Sequence, residues 1–339
     1  MIRRVGVLLA LLALPGPGCG LRPELRLSGR TMGTTWHVTV VGRGSATDLQ
    51  GKIDRRLEEV NQRLSTYRED SELSRFNRFS RAGEEFPISG DFLQVMKVAA
   101  RVFELSGGAW DGTVMPLVDL WGFGPAGPVD EPPAEEKIAS RLAEVGFAKI
   151  EIRDSGALVK REPSVTLDLS SIAKGYGVDQ VVEVVRREGF TDFIVEVGGE
   201  VRAGGSRRDG LPWRVGINRP RADAAPDEVY RVAFLRDQAF ATSGDYRNYF
   251  ARDGVRYSHV LDPRTGRPVT NRVVSVSIRA PDCTLADGLA TAVMVMGAEA
   301  GLALVERLDD VEGLVVVETP EGGLRDHPST SFRSEPPLR

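Results

Sequence analysis

Between Phe193 and Arg279 the chain reads as strand after strand with no regular crossover helix to carry one back beside the last. Phe193 to Val197, Trp213 to Ile217, Val229 to Leu235 and Val273 to Arg279 carry the β-branched and aromatic content of strands. Strands that return this way favour an α+β fold, antiparallel sheets with flanking helices, over a doubly wound parallel sheet. Trp36 to Val41 reads as an earlier strand. Ile150 to Ile152, Ala157 to Lys160 and Val165 to Asp168 read as a short antiparallel meander. Leu49, Ile53, Leu57, Val60 and Leu64 recur at helical spacing and predict a helix ending near Ser65. A second helix runs from Phe92 to Leu105 and stops at Gly107-Gly108. Residues 122–136, rich in Gly, Pro and acids, form a loop.

Two further helices carry the chemistry. Asp168-Leu-Ser-Ser-Ile-Ala-Lys-Gly175 opens a helix that runs from Ser171 to about Arg187. A helix N-terminus offers unpaired N–H groups and partial positive charge, so it favours phosphate. The other helix is capped by Thr284, ended by Gly297, and carries Asp287 and Thr291 four residues apart on one face. Oxygen ligands at that spacing suit a hard cation such as Mg²⁺. A carboxylate among Ala286, Gly288 and Leu289 is seldom buried unless paired or metal-bound, although the helix dipole alone could also favour it.

The N-terminus predicts where the chain works. Arg3 and Arg4 precede an apolar run of ten residues, Val5 to Leu14, too short to span a bilayer. Small residues and Cys19 follow, as in a bacterial lipoprotein cleaved before that cysteine, although Gly16 stands where a leucine is usual. The expected organisation is a signal peptide over 1–18, a linker over 19–30, one domain over 31–326 and a loosely ordered tail over 327–339. The expected location is the periplasmic side of the cell envelope, held by a lipid. With 44 Lys and Arg against 48 Asp and Glu the net charge is −4, and no basic stripe marks a nucleic-acid partner. Three histidines and no Cys/His cluster argue against a zinc site.

Nine segments, in order over nearly the whole mature chain, carry a family resemblance. They include Thr31-Met-Gly-Thr-Thr-Trp36, Leu64-Ser-Thr-Tyr-Arg68, Trp110-Asp-Gly-Thr113, Asp168 to Gly175 and Val197-Gly-Gly-Glu200. Trp213-Arg-Val-Gly-Ile217, Thr242-Ser-Gly-Asp-Tyr-Arg-Asn248, Ser258-His-Val-Leu-Asp-Pro263 and Ala286 to Thr291 complete them. The chain resembles the ApbE flavin transferases. The resemblance implies a fold related to the T-fold and Mg²⁺-dependent transfer of FMN from FAD to a Thr or Ser hydroxyl of a partner flavoprotein, releasing AMP. The implied acceptors are flavoprotein subunits of membrane redox complexes of the Rnf/Nqr kind. An FAD pyrophosphatase, with water in place of the hydroxyl, and a flavin-carrying lipoprotein are the alternatives.

The same resemblance assigns roles. Met32, Tyr67, Ala109, Trp110, Asp111, Asp168, Lys174 and Leu261 are implied to contact FAD, and Ser171, Asp287 and Thr291 to hold the metal. His259 is implied to take the proton of the acceptor hydroxyl. Read without it, Met32, Leu261 and the aromatics are core packing. Asp168 is then a helix cap, Lys174 a surface charge, and His259 a histidine bonding a turn. Thr291 could bond back to the carbonyl four residues earlier. Gly198-Gly199 is a strand-end bulge or a close approach to a cofactor. Arg247 and Asn248 contact phosphate or stabilise their turn. His37 and His327 are bystanders.

Overall fold

The computed structural model describes residues 22–124, 127–129, 131–225, 227–245, 249–252 and 255–336; the signal segment, Cys19 and the Arg247-Asn248 pair lie outside the described residues. Elements are numbered along the chain. β1 (Glu24–Thr31), β2 (Thr34–Val41), β6 (Asp192–Val197), β7 (Glu200–Gly204), β10 (Gln238–Gly244), β15 (Val273–Ala280), β16 (Glu312–Glu318) and β17 (Leu324–Pro328) form one sheet. Its order is β1-β2-β6-β7-β10-β15-β16-β17, with every neighbouring pair antiparallel. Helices α1 (Leu49–Leu64), α3 (Gly90–Leu105), α6 (Ser170–Arg187), α7 (Cys283–Met296) and α8 (Ala298–Val305) cover one face. A three-stranded sheet of β8 (Trp213–Asn218), β9 (Val229–Leu235) and β18 (Ser334–Glu335) covers the other.

Strand alternation builds these layers. Val276 and Ile278 of β15 and Val315 of β16 face the helices, whereas Val274, Leu314 and Val316 face the small sheet. Being buried on both faces, β15 has no solvent side, and all eight of its residues are buried. The expected α+β class with antiparallel sheets is what the fold shows.

Beside the helical layer lies a smaller sheet of β3 (Glu85–Pro87), β5 (Ala157–Lys160) and β4 (Ile150–Arg153), in that order. Helices α2 (Glu72–Arg78), α4 (Met115–Leu120) and α5 (Glu135–Leu142) complete the helical set. Two small ribbons pair β11 (Tyr249–Arg252) with β12 (Val255–Ser258), and β13 (Leu261–Asp262) with β14 (Arg267–Pro268).

Four expectations are corrected. Most of the linker expected over 19–30 is edge strand β1, paired with β2 from Glu24↔Val41 to Thr31↔Thr34, with Leu25 and Leu27 packed on the core. The tail is tied down as well. His327 pairs with Val315 in β17, Ser334 and Glu335 pair with β9, and Phe332 is buried between the two sheets. Val165 to Asp168 is not a strand. The Asn77 side chain donates to Leu167 O and accepts from Leu167 N, both at 2.8 Å, and so takes the place of a neighbouring strand. The cap of α7 is Asp282, whose side chain accepts from Leu285 N; the Thr284 hydroxyl donates instead to Asp179 of α6.

Candidate active site

Helices α6 and α7 meet so closely that a Cβ on Gly175 would stand 2.2 Å from the Cys283 carbonyl oxygen. Only glycine permits that approach. Two sets of hydrogen bonds hold the helices in place. Asp179 of α6 accepts from the N–H groups of Cys283 and Thr284, at 3.0 and 2.9 Å, at the start of α7. In return, Oδ2 of Asp287 in α7 accepts from Gly175 N at 2.9 Å. The two Asp179 bonds satisfy N–H groups that the N-terminus of α7 leaves orphaned, and the bond to Gly175 fixes Asp287 against the second turn of α6.

A cavity of about 1040 Å³ opens there, and it gathers nearly all of the predicted residues. Tyr67, Ala109, Trp110, Asp111, Asp168, Ser171, Lys174, His259, Leu261, Asp287 and Thr291 all line it. Met32 does not line it. It occupies a β-turn between β1 and β2 with φ of 48°, and its thioether packs over Gly177, one turn further along α6.

The floor of the cavity is charged. Lys174 donates to Glu200 Oε1 at 2.5 Å. Burial lowers the Lys174 pKa, but the carboxylates of Asp287 and Glu200 more than reverse this and hold it at about 12. Burial and the nearby Asp287 charge push Glu200 up to about 8. Burial also raises Asp287, with Lys174 and the Gly175 N–H pulling the other way. Glu200 Oε2 is buried and has no hydrogen-bond partner among the described residues. One cation thus faces two carboxylates, an arrangement that further positive charge would relieve. Among the described residues no three His, Cys, Asp or Glu side chains converge as a metal site. Asp287 with the hydroxyls of Ser171 and Thr291, all lining the cavity, offers one carboxylate and two neutral oxygens, a set that suits a hard ion that keeps several waters.

The hydroxyls are already placed. Thr291 Oγ1 lies 3.1 Å from Ser243 Oγ on β10. Ser171 Oγ accepts from Trp110 Nε1 at 2.9 Å and keeps a lone pair. Asp168 acts as a local cap, its Oδ1 accepting from Ser170 N at 2.8 Å, and burial raises its pKa against that bond. Asp111 lines the cavity, yet its oxygens accept from Thr113 N, Thr113 Oγ1 and Phe147 N. It shapes the loop that presents Ala109 and Trp110. Tyr67 stands at the rim, 88% exposed.

His259 follows β12. Its Nδ1 lies 3.5 Å from Asp245 Oδ1, and its ring meets Phe123 edge-on at 6.3 Å. Asp245 is buried and accepts the Ser258 hydroxyl at 2.6 Å. Sequence reasoning missed Glu200, Ser243 and Asp245 as site residues. All three stand inside segments that carry the resemblance, beside Gly198 and Gly199 and the Arg247-Asn248 pair that draw the eye first. Those glycines are not a bulge. They form the two-residue turn between Val197 and Glu200, with φ of 58° and 104°, that starts β7 beside Lys174.

Fold and cavity together define an α+β enzyme site for an anionic ligand with flat apolar parts: a helix start, a lysine and oxygen donors below, an indole and a histidine above. The chain belongs to the ApbE family, whose sequence pattern matches residues 32–315. The FAD:protein FMN transferase of Vibrio cholerae is 47% identical over 313 residues, covering 91% of this chain and 92% of that one. That of Escherichia coli K12 is 36% identical over 334 residues, covering 94% and 93%. The solved flavin transferase ApbE of Vibrio cholerae superposes with a TM-score of 0.83 at 45% identity, over 92% of this chain and 98% of that one. The apo form of Pseudomonas stutzeri flavinyl transferase ApbE gives 0.82 at 37% identity, over 92% and 96%.

Proposed function

We propose that the protein is an FAD:protein FMN transferase that works with Mg²⁺. The observation that carries this reading is the convergence of Lys174, Asp287, Thr291, Trp110 and His259 on one cavity in a chain 47% identical to such an enzyme. Trp110, Ala109, Leu261 and Tyr67 offer flat and apolar surface to the flavin and adenine rings. Lys174 and the first turn of α6 face the pyrophosphate. Asp287, Thr291 and Ser171 would hold Mg²⁺, which when bound supplies positive charge against the charge developing on the pyrophosphate.

The acceptor's hydroxyl oxygen attacks the phosphorus nearer the flavin. The bond from that phosphorus to the AMP oxygen breaks, and AMP leaves with the electron pair. The hydroxyl proton goes to the imidazole of His259, which stands 3.5 Å from the Asp245 carboxylate. Incubation with FAD, Mg²⁺ and an exported flavoprotein should yield acceptor heavier by FMN less one water, with an equal amount of AMP. AMP and free FMN without modified acceptor would instead indicate an FAD pyrophosphatase.

The reading extends to place and partner. Arg3, Arg4, the short apolar run and Cys19 support export and lipidation, and an envelope location suits acceptors in membrane redox complexes of the Rnf/Nqr kind. Cys19→Ser should release the protein from membranes or block its maturation. A mature N-terminus far from Cys19, read by mass spectrometry, would rule the anchor out.

A further inference from the structure

Arg22 is fastened to one particular surface. Its guanidinium donates to Ser206 Oγ at 3.0 Å, Ser206 O at 3.2 Å, Arg207 O at 2.5 Å and Asp192 Oδ2 at 2.7 Å. Ser206 and Arg207 open the loop between β7 and β8. Arg22 follows Cys19 by three residues, which span at most about 11 Å when fully extended. A lipid on Cys19 therefore leaves this loop almost no room to stand away from the bilayer.

The surface there suits such a neighbour. Leu211, at the end of the loop, is 57% exposed, and only Tyr67 at the cavity rim joins it as a large exposed hydrophobic among the described residues. Beside it a groove of about 510 Å³ runs over the outer face of β8 and β9, lined by Pro212, Val229, Val232 and Phe234. Arg208, Arg214 and Arg236 are exposed around it. Of the nearby acids, Asp209 pairs with Arg207, Asp192 pairs with Arg22, and Asp237 accepts the Gly205 N–H. Glu335 also lines the groove, so three arginines stand against two acids, Asp237 and Glu335, that no arginine among the described residues is seen to pair. No helix among the described residues is long and apolar enough to cross a membrane, so any contact here is peripheral.

We propose that this face, the 205–212 loop with the outer surface of β8 and β9, is the membrane-contact surface. Leu211 enters the interfacial layer, and Arg208, Arg214 and Arg236 face anionic headgroups. An apolar side chain ringed by basic residues is how a peripheral surface lies in a bilayer interface. The lipid and the loop together fix the orientation of the whole enzyme, because two attachments prevent rotation about a short tether. The proposal rests on the lipid-anchor reading of Cys19.

The test uses the full-length lipidated protein in vesicles of phosphatidylethanolamine and phosphatidylglycerol. An environment-sensitive fluorophore is placed at Leu211→Cys and, as a control, at Asp154→Cys, a side chain 98% exposed on the turn between β4 and β5. Cys283 is buried and does not compete for the label. Quenchers carried on the lipids should dim the probe at 211 several-fold more than the probe at 154. Equal, weak quenching at both positions in protein that sediments with the vesicles would overturn the contact face and leave the anchor standing. Protein that stays in the supernatant as the Cys19→Ser variant does would remove the anchor, and this face with it.

Discussion

The two walls of the cavity are built in opposite ways. Helix α7 is buried along nearly its whole length, from Cys283 to Val295, so Asp287 is set among buried neighbours. Its neighbours are a backbone in van der Waals contact and a lysine held by a second carboxylate. The opposite wall is the segment after β12. There the His259 side chain is 31% exposed, with one carboxylate at 3.5 Å and one aromatic edge beside it. Tight packing allows no alternative arrangement of the first wall. The second is partly open to solvent, and in the proposed reaction it is the side from which the acceptor hydroxyl arrives. In the proposed reaction the donor nucleotide meets the packed surface and the acceptor the accessible one.

Gly175→Ala attacks the rigid wall at its closest contact and should have the largest effect. A methyl 2.2 Å from the Cys283 oxygen must push α6 and α7 apart, costing about 1–3 kcal/mol or more. A lower Tm together with lost transfer is expected; wild-type values for both would show that the contact is not needed. Asp287→Ala should abolish transfer, as should excess EDTA, while circular dichroism shows a folded protein. Full activity in either case would remove the metal from the account.

On the accessible wall, Asp245→Asn should leave FAD affinity unchanged and slow transfer by less than the ~10²-fold expected on losing the base itself. A loss of FAD binding would move Asp245 to the rigid side of the comparison. Glu200→Gln should have the smallest effect, visible only against pH. Because the folded-state pKa of Glu200 is raised to about 8, the native state holds a proton that the unfolded chain releases above about 4.5. The stability this gives is full below that value and is lost as pH rises through about 8. The Tm of metal- and flavin-free wild type should therefore fall more steeply between pH 5 and about 9 than that of Glu200→Gln. Parallel curves would contradict the burial of an unrelieved carboxylate.

The rigid wall was also the more legible one. Capping residues, helix periods and the 168–175 and 286–291 segments place α6 and α7 within a residue or two of where they lie, because helix signals are local. What could not be read depends on contacts between distant parts of the chain. Glu200 matters because a two-glycine turn swings it onto Lys174, 26 residues away in sequence. Asp245 matters because Ser258 and His259 fold back over it. Asn77 stands in for a strand through its side chain, which no strand propensity reports. Met32 carries a family motif, but a positive-φ turn aims it at Gly177 rather than into the cavity. The tail looks unstructured by composition, yet pairing of His327 with Val315 and of Ser334 and Glu335 with β9, and burial of Phe332 between two sheets, tie it down.

In the proposed reaction the two walls divide the work: α6 and α7 bind FAD, and His259 removes the proton. Single-turnover flavinylation at saturating FAD, measured beside FAD affinity in His259→Asn, tests it most directly. The account predicts near-normal affinity and a rate lower by at least ~10²-fold. Weakened FAD binding with an unchanged saturated rate would make His259 a binding residue and leave the proton acceptor to another group, Asp168 first.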